Sequence, residues 1–235
     1  MQLNPIGTIE SCFRDKFGTP RQPGLVPEAT AQLRLRPDLQ PEICLQGLEG
    51  FSHVWLIFWF HLNKISQYHA KVHPPRLEGK SVGLFATRTP HRPNPLGLSL
   101  VRLVRIENSI LYFSGIDLVD GTPVLDIKPY LPEIEGIPAE RAGWTSEATT
   151  SQISVEFSPT AKQQLDAWQA RLGSTHPDVR LEKLIRETIQ LDPRPLVYKR
   201  NADGASHAVR LFDGDVHFRF FENPLLAEVF EINEC

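Results

Sequence analysis

The residues best suited to chemistry lie in one short proline-rich segment, Gly83–Ser99, which holds Arg88, His91 and Arg92 among three prolines. Proline fixes φ and removes a backbone donor, so this segment should form a stiff loop rather than continue a strand. Stiffness lowers the entropy cost of ordering a loop around a ligand, and an arginine can hold a carboxylate or a phosphate with two hydrogen bonds. The segment therefore predicts an anion-binding loop, with an ordinary solvated turn as the alternative.

Four further segments carry polar side chains at turns or strand ends. Thr19–Gly24 places an arginine and an amide between two prolines, and His61-Leu62 directly follows the apolar run Val54–Phe60. Asp117–Pro123 contains an Asp-Gly turn, and Asp126–Tyr130 adds a charged pair next to it. Considered one at a time, these segments are equally typical of ordinary turns, and a histidine at a strand end more often has a structural role.

Several familiar catalytic sites are absent from this sequence. No two glycines are spaced i, i+2, which argues against the fingerprint of a Rossmann domain. Gly79-Lys80-Ser81 matches the end of a P-loop, but Pro74 stands where its first glycine is required. There is no Gly-x-Ser-x-Gly elbow, and the histidines have no spacing to carboxylates or thiols that suits a metal. Hydrolase, kinase and zinc-enzyme functions are therefore disfavoured, and no metal is expected.

The composition is that of an ordinary globular protein with an uneven charge distribution. Of 235 residues 41% are hydrophobic, and the longest apolar run, Val54–Phe60, is too short to span a bilayer. No signal peptide is visible, and the three cysteines lack a Cys-x-x-Cys pair, which predicts reduced thiols in a cytoplasmic protein without membrane contact. Between Lys64 and Arg105 eight lysines and arginines accompany a single acid, Glu78, and such a basic block could bind a nucleic acid.

Short apolar segments separated by glycine, proline and asparagine dominate the first two-thirds of the chain and predict β-strands. The predicted strands are Pro5–Glu10, His53–Phe60, Ser81–Thr87, Ser99–Ile106, Ile110–Gly115 and Val124–Ile127. Because long helical periodicity is scarce before residue 150, they favour a mainly β fold, with a small β-barrel as the N-terminal domain over residues 1–148. Gln67–Gly79 is typical of a long loop, and Glu133–Thr150 of a linker.

The remaining residues, 149–235, mix helix and strand signals and predict a smaller α+β C-terminal domain. Ser151–Phe157 is typical of a strand, and Ser158-Pro159 should start a helix that extends to Leu172. Asp178–Gln190 has an apolar face at helical spacing and predicts a second helix. Three strands should follow, with Asp213-Gly214 as the turn of a hairpin.

Four motifs in a fixed order resemble the TsaA-like family. They are Pro20-Arg21-Gln22-Pro23, Gly47-Leu48-Glu49-x-Phe51-Ser52-His53-x-Trp55, Arg88 through Gly97, and Asp117-Leu118-Val119-Asp120-Gly121-Thr122-Pro123-x-x-Asp126-Ile127-Lys128-Pro129-Tyr130. Asp192-Pro193-Arg194-Pro195 and the following Tyr198 extend the similarity into the C-terminal domain. The resemblance implies a β-barrel enzyme that uses S-adenosylmethionine and acts as a homodimer. The bacterial members of the family include an enzyme that methylates N6 of threonylcarbamoyladenosine beside the anticodon of tRNA, and the resemblance implies this activity.

The resemblance also implies which residues bind S-adenosylmethionine. By motif position the expected residues are Pro20, Arg21, Gln22, His61, Leu62, Arg88, Arg92, Asp120, Gly121, Thr122 and Pro123. Arg92 or Arg88 is expected to hold the methionine carboxylate. The turn at Asp120 is expected to receive the ribose, the adenine or the amino group.

The resemblance leaves the catalytic base open. The N6 atom of a carbamoylated adenosine is a poor nucleophile because its lone pair is delocalised, and Asp120 and His61 are the candidates to deprotonate it. The expected partner is tRNA, which the C-terminal domain should position through phosphate contacts of Arg194, Lys199 and Arg200 while contributing little to cofactor binding. A small-molecule methyltransferase and a non-catalytic S-adenosylmethionine-binding module on the same barrel are the alternatives.

Overall fold

The computed structural model describes residues 2–63, 68–74, 77, 80–147, 153–194, 204–222 and 225–234. Among these residues, six strands form a closed antiparallel barrel. The barrel strands are β1 (Gly7–Ser11), β2 (Thr30–Leu35), β3 (His53–Trp59), β6 (Leu96–Glu107), β7 (Ile110–Ser114) and β8 (Pro123–Pro129). Around the barrel they follow the order β1-β2-β7-β6-β3-β8. The connection from β3 to β6 contains a small hairpin of β4 (Lys71–Val72) and β5 (Val82–Gly83).

The barrel interior is filled by one side of each strand. Burial alternates residue by residue along β1, and Ile9 at its centre is fully buried. Leu33, Leu56 and Phe113 are buried in the same way on neighbouring strands, as expected where alternate residues point into a closed sheet. Burying these aliphatic and aromatic side chains is the main driving force for closure, at roughly 1.5–3 kcal/mol for each large side chain.

Strand order decides where the connections emerge. Because neighbouring strands are antiparallel, the β1–β2 connection (residues 12–29), the β3–β6 connection (residues 60–95) and the β7–β8 connection (residues 115–122) leave the same end of the barrel. We call this end the site rim. Three of the four predicted motifs fall on it wholly or at their start, although they are far apart in sequence.

The C-terminal unit, made of the described residues from 153 onwards, is a four-stranded sheet with two helices. Its elements are β9 (Ser154–Phe157), α3 (Pro159–Leu172), α4 (Leu181–Gln190), β10 (Ser206–Leu211), β11 (Gly214–Glu222) and β12 (Leu225–Glu234). The strand order is β10-β11-β12-β9, with β9 parallel to β12. The Ser158 hydroxyl caps α3 by accepting a hydrogen bond from the Ala161 N–H at 3.1 Å, and Pro159 follows it, as predicted.

The predicted fold class, mainly β with a barrel followed by an α+β region, is confirmed. The division into domains at residue 148 stays a prediction, because residues 148–152 lie outside the described residues. The described residues also form two short α-helices, α1 (Pro41–Cys44) and α2 (Pro132–Glu135), and α2 overlaps the start of the predicted linker Glu133–Thr150. None of the described helices is long and apolar enough to cross a membrane.

Two strand predictions need correction. Ser81–Thr87 is not one strand: only Val82–Gly83 pairs with β4, and Leu84–Ala86 form a turn of 3-10 helix that leads into the proline loop. The strand Thr30–Leu35 was not predicted from the sequence, where its alternating Thr, Gln and Arg hid the apolar positions. On its buried side Leu33 and Leu35 point inward, so the polar residues are its outer face.

The C-terminal unit also departs from expectation in two places. The second helix begins at Leu181 rather than Asp178, because Arg180 has extended backbone and directs its side chain to Glu28. The hairpin turn consists of Phe212 and Asp213, since Leu211 pairs with Gly214. Phe212 adopts a positive φ of 50°, an uncommon conformation for an aromatic residue.

Candidate functional site

Two of the predicted segments meet at the site rim. They are the proline-rich segment that holds Arg88 and Arg92, which we call the arginine loop, and Thr19–Gly24, which we call the Pro20 loop. The Arg88 guanidinium Nη1 donates a hydrogen bond of 2.8 Å to Oε1 of Gln22, across 66 residues of sequence. The Gly24 N–H donates to the Gly115 carbonyl at 2.8 Å, which fixes the Pro20 loop to the start of the β7–β8 connection. Pro20 itself is buried, whereas Arg21 is exposed. The two predicted motifs are therefore one contiguous surface.

The histidine and the Asp-Gly turn form a second contact on the same rim. His61 is half-buried, and its Nε2 lies 3.7 Å from the point that a Cβ on Gly121 would occupy. Gly121 has a φ of 77°, a conformation that L side chains rarely adopt, so glycine is required for this turn. Two residues on, the Asn63 side-chain amide donates to the Pro90 carbonyl at 2.7 Å and joins the histidine segment to the arginine loop.

Both carboxylate oxygens of Asp120 are bound by other residues of the chain. Oδ1 accepts the Ser11 N–H at 2.8 Å, and Oδ2 forms an ion pair with Arg14. The backbone of the turn is equally constrained, since the Asp120 N–H donates to the Phe13 carbonyl at 2.8 Å. A carboxylate engaged in this way orients a turn well, but it has little capacity left to accept a proton from a substrate.

The next two residues of the turn extend the same frame. Thr122 is buried, and its hydroxyl donates to the Val119 carbonyl at 2.5 Å. Pro123 is the first residue of β8 and needs no ladder donor there. The carbonyl of Leu62 accepts a hydrogen bond of 2.8 Å from the Lys16 ammonium, so the Leu62 segment is tied to the β1–β2 connection.

Arg92 is anchored within its own loop. Its Nη1 donates to the Thr87 carbonyl at 2.8 Å, and its guanidinium lies 5.4 Å from the centroid of the Phe85 ring. Phe85 is 78% exposed, so the ring offers an apolar surface next to the cation. The Trp144 indole N–H donates to the Ala86 carbonyl at 2.8 Å and holds the base of the loop. A carbonyl and an aromatic ring leave the charge of Arg92 unneutralised, which suits a grip on an anion.

Asp117 is a candidate that sequence reasoning passed over. Its Oδ1 accepts a hydrogen bond of 2.6 Å from the Ser99 hydroxyl. Burial raises the pKa of Asp117 to about 6, although the Ser99 hydrogen bond and the positive charge of Arg88 both act to lower it. The motif that begins with Asp117 was visible in the sequence, but the raised pKa of its carboxyl was not.

His61 is another titratable group at the rim whose pKa is displaced. Burial lowers the pKa of His61, and the positive charge of Lys16 lowers it further, while Asp120 has the opposite effect. The imidazole is therefore held neutral near pH 7, in the form that can accept a proton. Among the described residues, no group of three or more histidines, cysteines, aspartates or glutamates could hold a metal ion.

The donor set of the rim fits a ligand that combines a carboxylate with a nucleoside. Arg88 and Arg92 supply guanidinium forks for a carboxylate. The Gly121 turn supplies a backbone cradle without a side chain at its tip, and His61 lines it. Every residue predicted to bind the cofactor lies on one of the three rim connections or, in the case of Pro123, at the first residue of β8. Their individual contacts with a ligand stay predictions.

Known proteins with similar sequences share the whole organisation of this chain. The family model described as the tRNA-methyltransferase O N-terminal domain matches residues 8–136, and the TrmO C-terminal domain matches residues 150–234. A Pseudomonas aeruginosa protein, named as an S-adenosylmethionine-dependent methyltransferase, is 44% identical over 98% of this chain and 96% of its own length. The Escherichia coli tRNA (adenine(37)-N6)-methyltransferase is 40% identical over 93% of this chain and 92% of its own. The crystal structure of TrmO from Pseudomonas aeruginosa superimposes with a TM-score of 0.81 at 39% identity, covering 99% of this chain and 98% of that one.

The buried carboxyl of Asp117 predicts a pH-dependent stability. Because its pKa is about 6 in the folded state and near 4 when unfolded, the folded state binds more protons between these values, and stability falls as the pH rises through that window. Asp117→Asn removes this dependence, so the variant should gain about 1–3 kcal/mol relative to the parent between pH 4 and pH 7. Denaturant unfolding at four pH values measures the difference, with Asp15→Asn, an exposed carboxyl, as the control. A difference that does not change with pH would contradict the assignment.

Proposed function

The chain belongs to the tRNA-methyltransferase O family, and we propose that it transfers the methyl group of S-adenosylmethionine to N6 of the threonylcarbamoylated adenosine 37 of tRNA. Family membership makes the chain an S-adenosylmethionine-dependent tRNA methyltransferase, as the sequence resemblance implied. The proposal extends this to the threonylcarbamoyl group on the substrate, to the residues that bind the cofactor and to the assembly of the enzyme.

The observation that best supports the proposed cofactor site is the convergence of distant segments. Four segments spread from residue 20 to residue 123 converge at the site rim, where Arg88 bonds Gln22, Asn63 bonds Pro90 and His61 lies against Gly121. A set of unrelated surface turns would have no reason to be joined by side-chain contacts over such sequence distances. The same contacts make the rim stiff before a ligand arrives, which lowers the cost of binding.

The two arginines and the Asp120–Pro123 turn bind different parts of the cofactor. Arg88 and Arg92 hold the methionine carboxylate, because they are the guanidinium groups that the arginine loop presents. The turn Asp120–Pro123 receives the nucleoside part, since its backbone is fixed by β1 and Gly121 leaves room above it. When bound, S-adenosylmethionine supplies an electrophilic methyl group. The chain contributes alignment, which accounts for much of the rate in an in-line displacement.

His61 is the better placed of the two candidate bases. Its imidazole is held neutral near pH 7 by burial and by Lys16, so it can accept the proton from N6. The Asp120 carboxylate is occupied by the Ser11 N–H and the Arg14 guanidinium, so its role is to hold the turn. We therefore assign proton acceptance to His61 and turn geometry to Asp120.

The contact with tRNA phosphates is best supported on the β3–β6 connection. Lys71 and Lys80 are exposed there beside the arginine loop. In the C-terminal unit, by contrast, each described lysine and arginine forms an ion pair with an acid; they are Lys162, Arg171, Arg180, Lys183, Arg186, Arg194, Arg210 and Arg219. Cations that are already neutralised attract phosphates weakly.

The predicted phosphate contact of Arg194 is wrong. Its side chain is buried, forms an ion pair of 2.8 Å with Asp192 and lies 3.8 Å from the centroid of the Phe220 ring. Arg194 therefore has a structural role inside the C-terminal unit. Lys199 and Arg200, predicted to act beside it, lie outside the described residues.

A second copy of the chain is the proposed occupant of the outer face of β3 and β6. This face presents apolar side chains on paired positions, Trp59 opposite Leu96 and Ile57 opposite Leu98. Leu98 is 54% exposed, and an apolar patch of this kind on a barrel wall is typical of a subunit interface. Because β3 ends and β6 begins at the site rim, a partner seated here would border the cofactor site.

The reaction is proposed to take place in the cytoplasm. Cys12 and Cys44 are free thiols, as expected in a reducing compartment. Burial raises the pKa of the Cys12 thiol to about 12, which makes it unreactive.

The substrate is tested by methylation of two preparations of one tRNA. Native tRNA that carries threonylcarbamoyladenosine and an unmodified transcript of the same sequence are incubated with labelled S-adenosylmethionine, and the nucleosides are analysed by mass spectrometry. We expect label only in the N6-methylated form of threonylcarbamoyladenosine from native tRNA. Equal labelling of the transcript would show that the carbamoyl group is not required. Cofactor binding without methylation of either RNA would favour the non-catalytic or small-molecule alternatives.

The cofactor assignment is tested by removing the two arginines. Arg88→Ala and Arg92→Ala should each weaken S-adenosylmethionine binding by about 1.5–3 kcal/mol, the contribution of a charge-assisted hydrogen bond. Arg34→Ala removes an exposed arginine from β2, away from the rim, and should leave the affinity unchanged. Calorimetry measures all three variants. Unchanged affinity in both Arg88→Ala and Arg92→Ala would remove the arginine loop from the site.

The proposed interface is tested by placing a charge on it. Leu98→Glu should convert a dimer into a monomer, because an unpaired carboxylate would be buried against the partner. Ile43→Glu, in exposed helix α1, is the matched control and should not change the assembly. Sedimentation velocity at micromolar concentration measures the mass. A monomeric parent chain, or a Leu98→Glu variant that still dimerises, would refute this interface.

A further inference from the structure

The C-terminal unit holds the start of the β1–β2 connection. Phe13 forms a β-bridge with Leu211, and the Phe212 N–H donates to the Cys12 carbonyl at 2.8 Å. Phe13 and Leu211 are both fully buried, so this contact continues the apolar core from the barrel into the C-terminal unit. The hairpin of β10 and β11 therefore fixes the direction in which the β1–β2 connection leaves β1.

The end of the same connection is held by a buried carboxylate. Glu28 is 8% exposed and accepts hydrogen bonds from Arg180 Nε at 2.9 Å and from the Lys183 ammonium at 3.0 Å. The Glu28 N–H donates to the carboxylate of Glu187 at 3.0 Å, so both backbone and side chain are engaged by α4 and the residue before it. Burial alone would raise the pKa of Glu28, but the hydrogen bonds and charges of Arg180 and Lys183 outweigh burial and lower it. Glu28 is thus an ionised group that depends on the C-terminal unit for its partners.

The middle of the connection also passes close to the C-terminal unit. A Cβ on Gly18 would lie 3.1 Å from Val209 Cγ1, and Gly18 has a φ of 92°. Only glycine fits this approach without strain. Pro20, Arg21 and Gln22 follow directly, so the proposed cofactor segment is bracketed by contacts on both sides.

Arg14 joins the C-terminal hairpin to the turn of Asp120. Its Nε donates to the Phe212 carbonyl at 3.0 Å, and its Nη1 forms the ion pair with Asp120. A guanidinium is planar and rigid, so the two contacts fix the Asp120 carboxylate relative to the hairpin turn. Lysine could supply the charge but not both hydrogen bonds from one rigid group.

We propose that the C-terminal unit positions the cofactor site, with Arg14 and Glu28 as its positioning residues. This inference rests on the proposed cofactor site at the rim. It replaces the sequence-based expectation that residues 149–235 contribute little to cofactor binding. Coupling between two sites is reciprocal, so a bound cofactor should in turn stabilise the contact between the barrel and the C-terminal unit.

Three variants and one control test the inference in the full-length chain. Arg14→Lys keeps the positive charge but cannot contact both the Phe212 carbonyl and the Asp120 carboxylate from one rigid group. Glu28→Gln and the double change Arg180→Gln with Lys183→Gln break the ion pairs at the other end of the β1–β2 connection. We call these three the clamp variants. Asp178→Asn breaks the exposed ion pair with Arg105, which also joins the barrel to the C-terminal unit but touches no rim connection. Calorimetry with S-adenosylmethionine and steady-state kinetics with varied cofactor and varied tRNA are the measurements, with thermal unfolding followed by circular dichroism.

The three clamp variants should weaken cofactor binding about 5- to 30-fold and raise the cofactor KM, with little change in the KM for tRNA. Asp178→Asn should bind the cofactor as the parent does. If Glu28→Gln or the double variant fails to fold, Arg14→Lys carries the test, because it changes one exposed side chain and keeps the positive charge beside Asp120.

A parent chain that binds the cofactor while all clamp variants bind it equally well would overturn this inference and leave the proposed function intact. Loss of affinity in Asp178→Asn to the same degree as in the clamp variants would also overturn it, since the effect would then be a general loosening of the two parts. A parent chain that fails to bind S-adenosylmethionine overturns the proposed function and this inference together.

Discussion

The closing seam of the barrel is the constraint on which the site depends. The ladder between β1 and β8 is short, with Gly7 opposite Val124 and Thr8 opposite Pro123. Beyond it, Ile9 continues the seam by donating to the Thr122 carbonyl and accepting from the Gly121 N–H, each at 2.9 Å. The hydrogen bonds that complete the barrel and those that shape the Asp120–Pro123 turn are therefore one series. The turn cannot change shape without loosening the closure, and this gives a surface turn the rigidity of a strand.

Three carboxylates near the rim show how their surroundings assign them different roles. Glu28 is buried but ionised, because Arg180 and Lys183 offset the cost of burial. The Asp120 carboxylate is engaged by the Arg14 guanidinium and the Ser11 N–H, which suits a group that fixes geometry. Asp117 is half-buried, its carboxylate accepts a hydrogen bond from the Ser99 hydroxyl, and burial raises its pKa to about 6. The sequence presents all three as plain acids, and only the folded surroundings separate an anchor from a group that titrates near neutral pH.

The sequence predicted the features that depend on neighbouring residues and missed those that depend on distant ones. The strand at His53–Trp59 and the Ser158 cap were predictable because apolar clustering and capping residues act locally. The residues expected to bind the cofactor were found through resemblance, and their common location on one rim follows from strand order, which no local pattern contains. The roles of Arg14 and Glu28 were not predictable, since their partners lie 106 and 152 residues away and an isolated arginine or glutamate in a loop is usually solvated.

The C-terminal unit braces one side of the rim, and exposed lysines lie on another side. The contacts from the C-terminal unit fall on the β1–β2 connection, whereas Lys71, Lys80 and the arginine loop lie on the β3–β6 connection. A methyl transfer needs the donor and the acceptor nitrogen held in line, and a displacement of the rim of about 1 Å would cost much of the rate. A folded RNA is large and approaches as a charged surface, so its binding energy would deform a rim held only by loops. In the proposed function, bracing one connection through buried contacts while presenting cations on the other would let phosphates bind without disturbing the proposed cofactor site.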